Sequence, residues 1–257
     1  MRNFVAFQMW GSFRKQLVKA HVFYVEQAKK RLLTRFENIE EEAQAEMDTW
    51  LEETSHLFDP ERHDPGDFYE QANDVGIEFY ELLTEMRDRT RLSVIAGMYH
   101  EWDKQLRDWL WREISRWHRG DELRRQVWAV DFVSLMEFMV ALGWDVKGTA
   151  YYAHLDACRL LVNVYKHGEG KSFEQLRDRY PRYIQHPFAD NSDVDWAVSQ
   201  ADYTHLKVAD QTVDEFSKAI IDFWNDVPEN VFASTIEEVP KWFERAYNKD
   251  IAREEST

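Results

Sequence analysis

Four residues of this chain have types and spacing suited to chemistry: Arg159, Asn163, Lys166 and His167. They lie in one stretch, RLLVNVYKHGEG, residues 159–170, inside an otherwise apolar run. A histidine can give or take a proton near neutral pH. An arginine or lysine can stabilise an anion that develops during a reaction. At helical spacing, Tyr152, Asp156, Arg159, Asn163, Lys166 and His167 share one stripe about 100° wide. Leu155, Ala157, Cys158, Leu160, Leu161, Val162, Val164 and Tyr165 fill the rest of the circumference. A helix apolar nearly all round is buried. Its polar stripe is then either paired internally or built to receive a ligand. In the first case Asp156 pairs with Arg159, Asn163 bonds a neighbouring helix, and Lys166 and His167 sit at the helix C-terminus, where positive charge is favoured.

A second polar stripe runs through RTRLSVIAGMYHEWDKQLRDWLWRE. His100, Asp103, Lys104 and Arg107 fall on one helix face at i, i+3, i+4 and i+7. Asp103 and Arg107 form an i, i+4 ion pair, worth a few tenths of a kcal/mol when exposed, roughly 0.3–0.5. His100 and Asp103, with Lys171 beyond the first stripe, are candidate substrate-binding residues.

The elements that must carry these residues are helical, and the fold class expected is all-α. Residues 13–56 read as one long helix or two. FDPERHDPGD, 58–67, reads as a loop, because residues before proline avoid the helical region. Residues 69–118 read as a long helix bent or broken near Asp88–Thr90, with a turn at 118–122 capped by Asp121. Residues 122–142 form a block ended by Gly143, and 147–167 one ended by Gly168. SFEQLRDRY is a short helix from Ser172 to Pro181. DYTHLKVAD, 202–210, is a short strand or an extended link. TVDEFSKAIIDFWNDV is an amphipathic helix with a threonine cap, and a last helix runs from Pro240 to about Asn248. The division expected is a helical N-terminal extension, 1–74, a core, 75–183, and a mostly helical C-terminal segment, 184–257. Seams are placed at 58–67 and 184–195.

Composition narrows the classes. In 257 residues, 44% are hydrophobic, with only 9 Gly and 6 Pro, which suits a folded helical chain and not a many-turned β protein. No apolar run reaches membrane-span length, the N-terminus lacks a signal-peptide core, and the lone Cys158 forms no internal disulfide. A cytoplasmic setting without membrane is expected. The formal charge is −16, unevenly spread: fourteen acidic residues against Arg62 alone between Glu37 and Asp74, and a basic surplus between Arg159 and Tyr183. The acidic segment would dock a basic protein partner. There is no phosphate-cradling glycine loop and no cysteine pair for zinc. Glu53 and His56 make one Glu-x-x-His where a di-iron bundle needs two. No cofactor and no metal are expected.

RLLVNVYKHGEG resembles the Asn-x-x-Lys-His-Gly helix end of HEPN-type bacterial proteins. MYHEWDKQLRDWL is similar to a Tyr-His-x-Trp-(Glu/Asp) helix upstream in the same proteins. The resemblance covers about residues 75–183, with a weaker echo in DEFSKAIIDFW. It implies an α-helical bundle, commonly dimeric. It further implies a metal-independent endoribonuclease of phage defence or a toxin–antitoxin system, or else a non-catalytic binding subunit of such an assembly. His167 matches the family's histidine and Asn163 its polar residue. Val162 stands where the pattern has arginine, and the nearest upstream arginine, Arg159, leaves seven residues before His167. On this resemblance Arg159, Asn163, Lys166 and His167 are catalytic, RNA is the substrate, and a homodimer brings two stripes into one cleft.

Overall fold

The computed structural model describes residues 4–185, 201–236 and 238–255. The expected seam at 184–195 falls outside them from residue 186 on. Of the described residues 77% are helical and 4% strand, an all-α class. By contacts it divides into two compact units: Met1–Tyr24 with Ile95–Thr257, and Val25–Val94.

Helix α1 (Gly11–Arg31) begins in the first unit and ends in the second. The second unit continues with α2 (Ile39–Thr54) and the first thirty residues of α3 (Pro65–Ile114). α2 and α3 pass closely at Gly76, where a Cβ would meet Met47 Cβ at 3.3 Å and the Ala43 carbonyl oxygen at 3.4 Å. Trp50, Phe58 and Phe68 close that end, with ring centroids 5.1 and 5.4 Å apart.

Two expectations are corrected here. The loop ends at Asp64, because Pro65 opens α3 and proline suits a first helical position. The helix does not break at Asp88–Thr90 but is continuous for 50 residues. Asp88 lies against Arg91 at 2.9 Å and Arg87 at 3.3 Å, so the polar cluster solvates the helix from its own side chains.

In the first unit the sequence reading missed a strand. β1 (Val5–Gln8) pairs antiparallel with β2 (Asn230–Phe232), Val5 opposite Phe232 and Gln8 opposite Asn230. Groups of β1 not used by β2 are met by side chains of α3 and the turn after it. Trp109 Nε1 donates to the Gln8 carbonyl (3.1 Å), Glu113 accepts from the Gln8 N–H (3.1 Å), and Trp117 Nε1 donates to the Ala6 carbonyl (3.0 Å). The spacing i, i+4, i+8 puts all three on one helical face and satisfies an otherwise open edge.

The block expected at 122–142 is two helices, α4 (Asp121–Ala129) and α5 (Phe132–Ala141). Asp131 ends the continuity by accepting a hydrogen bond from the Ser134 N–H, as an N-cap does. Asp121 is not the cap of α4. Asp250, in α9 (Lys241–Glu254), supplies it by accepting from the N–H groups of Glu122 and Leu123, both at 2.9 Å. Gly120 permits this approach, since a Cβ there would lie 2.0 Å from the Asp250 carboxylate.

α6 (Tyr152–His167) packs on α7 (Lys171–Arg179) and α8 (Asp210–Asp226). α7 starts after Gly170, not at Ser172. Thr212 serves α8 from inside, accepting from the Ala209 N–H at 3.1 Å. Residues 203–205 form a single 3-10 turn, and Ile184 bridges Leu206 beside it. α9 runs past Asn248 to Glu254. The core of this unit is aromatic: Trp102, Trp109, Phe138, Phe216, Phe223 and Trp224 are all under 2% exposed, or at 2% for Trp109.

Candidate functional site

α6 is held by its apolar circumference. Leu155, Ala157, Cys158, Leu160, Leu161, Val162 and Val164 are buried, each large side chain contributing roughly 1.5–3 kcal/mol. Burial pushes the Cys158 thiol up, so it is an inert core group and not a nucleophile. Tyr165, placed with the apolar set in the sequence, is instead 40% exposed.

The polar stripe divides into two environments. Its first half is closed. Asp156 is 1% exposed and collects three partners. Arg159 donates through Nη2 at 2.6 Å and Nε at 3.1 Å, Arg179 reaches it at 2.5 Å, and the Tyr180 hydroxyl donates at 3.0 Å. The Arg159 guanidinium also lies 5.4 Å above the Phe132 ring, which stacks on Tyr152 at 6.0 Å. Burial, and then the adjacent Asp156 carboxylate, push the Tyr180 hydroxyl up to about 12. A buried carboxylate shared by two guanidinium groups and a hydroxyl is a fully satisfied network.

The second half is open. Asn163 is half-buried, while Lys166 and His167 are exposed. The helix stops because Gly168 takes φ +71° and Gly170 φ +134°, a region that favours glycine. The turn is pinned: the Gly168 N–H donates to the Val164 carbonyl at 2.8 Å, and Glu169 accepts from the Tyr203 N–H at 3.0 Å. The Tyr203 ring lies 3.6 Å from where a Cβ on Gly168 would be. His167 thus stands on a fixed backbone, one turn from Asn163 and two turns, about 12 Å, from Arg159.

The second stripe meets the first at Tyr99. Burial pushes this phenol up, the Asp103 charge adds to that, and Arg159 and Arg107 oppose it. Asp103 grips Arg107 through both oxygens, at 2.8 and 3.0 Å, and Arg107 donates to the Val127 carbonyl at 2.8 Å. The pair ties α3 to the end of α4. His100 is exposed, its ring 5.8 Å from Tyr99. Lys171 is exposed in the first turn of α7, where the helix dipole disfavours a cation. Glu53 and His56 meet only through the backbone: the His56 ring bonds the Glu53 carbonyl at 2.8 Å. Among the described residues, no group of three or more His, Cys, Asp or Glu is close enough to hold a metal ion.

Arg179 and Tyr180 were missed as partners of Asp156. The basic surplus after Arg159 was their only trace in the sequence. Two further buried polar pairs left none. His21 Nε2 bonds the Ser217 hydroxyl at 3.0 Å, and His118 Nε2 bonds Asp250 at 3.1 Å. Burial lowers His21 to about 4. Burial alone would raise Asp250, but the Leu123 N–H, His118 and the Glu122 N–H together hold it below the usual carboxylate range.

Comparison of the chain with protein-family models, with characterised proteins and with solved structures gives no match.

Proposed function

We propose that the chain is a HEPN-like effector that cleaves RNA without a metal, acting in phage defence or a toxin–antitoxin system. The observation that supports it is the open end of α6, where Asn163, Lys166 and His167 share one face beside the turn at Gly168, with Lys166 and His167 exposed. In this reading His167 removes the proton of a ribose 2′-OH, and the freed oxygen attacks the adjacent phosphorus. Lys166 balances the charge of the pentavalent phosphorane, and Asn163 orients a phosphate oxygen. The bond to the 5′-oxygen breaks as a second acid protonates it, leaving a 2′,3′-cyclic phosphate. A homodimer with two α6 ends in one cleft would supply that acid as a second His167. Arg159, bound to Asp156, acts by holding the helix and the local positive potential. His100, Asp103 and Lys171 would flank the strand, and the setting would be the cytoplasm.

The test is cleavage of single-stranded RNA in the presence of a chelator. His167→Ala should abolish it, and Lys166→Ala should slow it about 10²–10³-fold, the cost of losing one charge-stabilising donor. Retained cleavage in His167→Ala would refute the assignment.

The closed half of the stripe favours a second reading. Arg159 is committed to Asp156, as expected of a non-catalytic helical subunit. Such a subunit would use the acidic segment 37–74 to dock a basic partner. Absence of RNA turnover by the unmodified protein, together with capture of a basic partner lost on neutralising that segment, would establish it.

A further inference from the structure

We infer that the C-terminal end of α3, together with α4, forms a binding surface for single-stranded nucleic acid. The chain as a whole carries −16, yet this region reverses sign. Arg112, Arg116, Arg119, Arg124 and Arg125, joined by Lys249 and Arg253 of α9, make seven cations against the five carboxylates Glu113, Asp121, Glu122, Asp250 and Glu254. Glu113 and Glu122 are buried and outnumbered. Glu113 is shared by Arg112 and Arg116, and Glu122 by Arg125, Lys249 and Arg253. Their own ion pairs therefore leave net positive charge facing solvent.

Aromatic rings are interleaved with these cations. Trp128 is 44% exposed and borders a concavity of about 590 Å³ with Arg124, Arg125 and Arg253, three cations against the one carboxylate Asp121. Trp10 is 62% exposed and borders one of about 460 Å³ with Phe13, Arg112, Arg116 and the Glu113 that the two arginines share. The two concavities flank α3: Trp111 carries Arg124 at 5.8 Å from its ring centroid, and Arg112 lies 4.0 Å from that of Phe13. Each concavity thus pairs an exposed stacking ring with guanidinium groups, the two contacts that a nucleotide in an unpaired strand offers, base face and phosphate. Two such units suit a strand better than a mononucleotide. A duplex keeps its base faces stacked inside and would leave both tryptophans unused. An acidic peptide matches the charge but not the rings.

This deepens the reading above by giving the strand a surface, and it rests on that reading for the choice of RNA. The test is fluorescence anisotropy with a labelled oligouridine of about twelve nucleotides, the matching oligothymidine, a duplex and an acidic peptide. The unmodified protein should bind both single strands, more weakly as salt rises. Arg124→Glu and Trp128→Ala, both at exposed positions, should each weaken binding about tenfold with unchanged circular dichroism and melting. His167→Ala should bind as the unmodified protein does. Failure of the unmodified protein to bind either strand overturns the proposal. So does Trp128→Ala binding normally, or the duplex or acidic peptide binding as tightly. Binding of both strands without cleavage keeps this surface and removes the ribonuclease. Cleavage with normal binding in both surface variants does the reverse.

Discussion

Asp156 with Arg159, and Lys166 with His167, occupy one face of one helix, two turns apart, and live under opposite rules. The first pair is enclosed, with the carboxylate satisfied by two guanidinium groups and a tyrosine. The second is exposed on a turn held by left-handed glycines. The difference teaches that a shared face says nothing about a shared environment. What packs over α6 decides it: α7 folds back so that Arg179 and Tyr180 cover the first half only. The first half is therefore enclosed in an ion-pair network and the second faces solvent.

The comparison is broken most severely at Asp156. Asp156→Ala leaves Arg159 and Arg179 facing each other without a counter-charge. It should cost about 3–5 kcal/mol, seen as a large drop in melting temperature. Replacing Asp156 and Arg159 together by Leu and Met should recover much of that loss, because the cation that remains, Arg179, is half-exposed and can be solvated.

Buried polar groups elsewhere sharpen the contrast through pH. His21 is neutral in the fold, its value lowered from 6.5 to about 4, and Ser217 is its partner. The unfolded chain takes up a proton below about pH 6.5 and the fold does not until about 4. Stability therefore falls as pH drops through that window, by roughly 3 kcal/mol for this group. Urea titrations at pH 7 and pH 4.5 should show the loss, and His21→Gln should reduce the difference. A slightly smaller effect is expected at Asp250. Asp250→Ala uncaps α4 and strands His118, and should cost about 2 kcal/mol, the upper end for a cap. The smallest change in stability belongs to His167→Ala, within about 0.5 kcal/mol as for an open surface position, whereas on the proposed ribonuclease reading RNA cleavage is lost. A melting-temperature drop in His167→Ala comparable to that of Asp156→Ala would erase the distinction between the two halves.

How much of this was legible in the sequence depends on how far each contact reaches along the chain. α6, its polar stripe and its end at Gly168 could be read from spacing, and so could the Asp156–Arg159 pair, because all are local. The cap at Asp131, with its partner three residues on, is just as local, but the apolar run VWAVDFVSL around it masks the break. The polar run at Asp88–Thr90 misled, since a cluster that pairs along the helix looks like a loop when only its polarity is counted. Asp250 as the cap of α4 and Ser217 as the partner of His21 lie well over a hundred residues away and carry no local signature. The open half of the site was legible as residues but not as an open half. Only the position of Arg179 and Tyr180 separates it from the closed one.

The ladder of Trp109, Glu113 and Trp117 against β1 also bears on how the chain is made. β1 and its strand partner are separated by about 225 residues, which a ribosome adding about 5–20 residues per second takes roughly 10–45 s to supply. The ladder emerges after about half that interval. Ala6 and Gln8 can therefore leave the pool of unpaired backbone groups while β2 is still untranslated, and a nascent apolar strand that would otherwise recruit a neighbouring chain has a side-chain chaperone of its own.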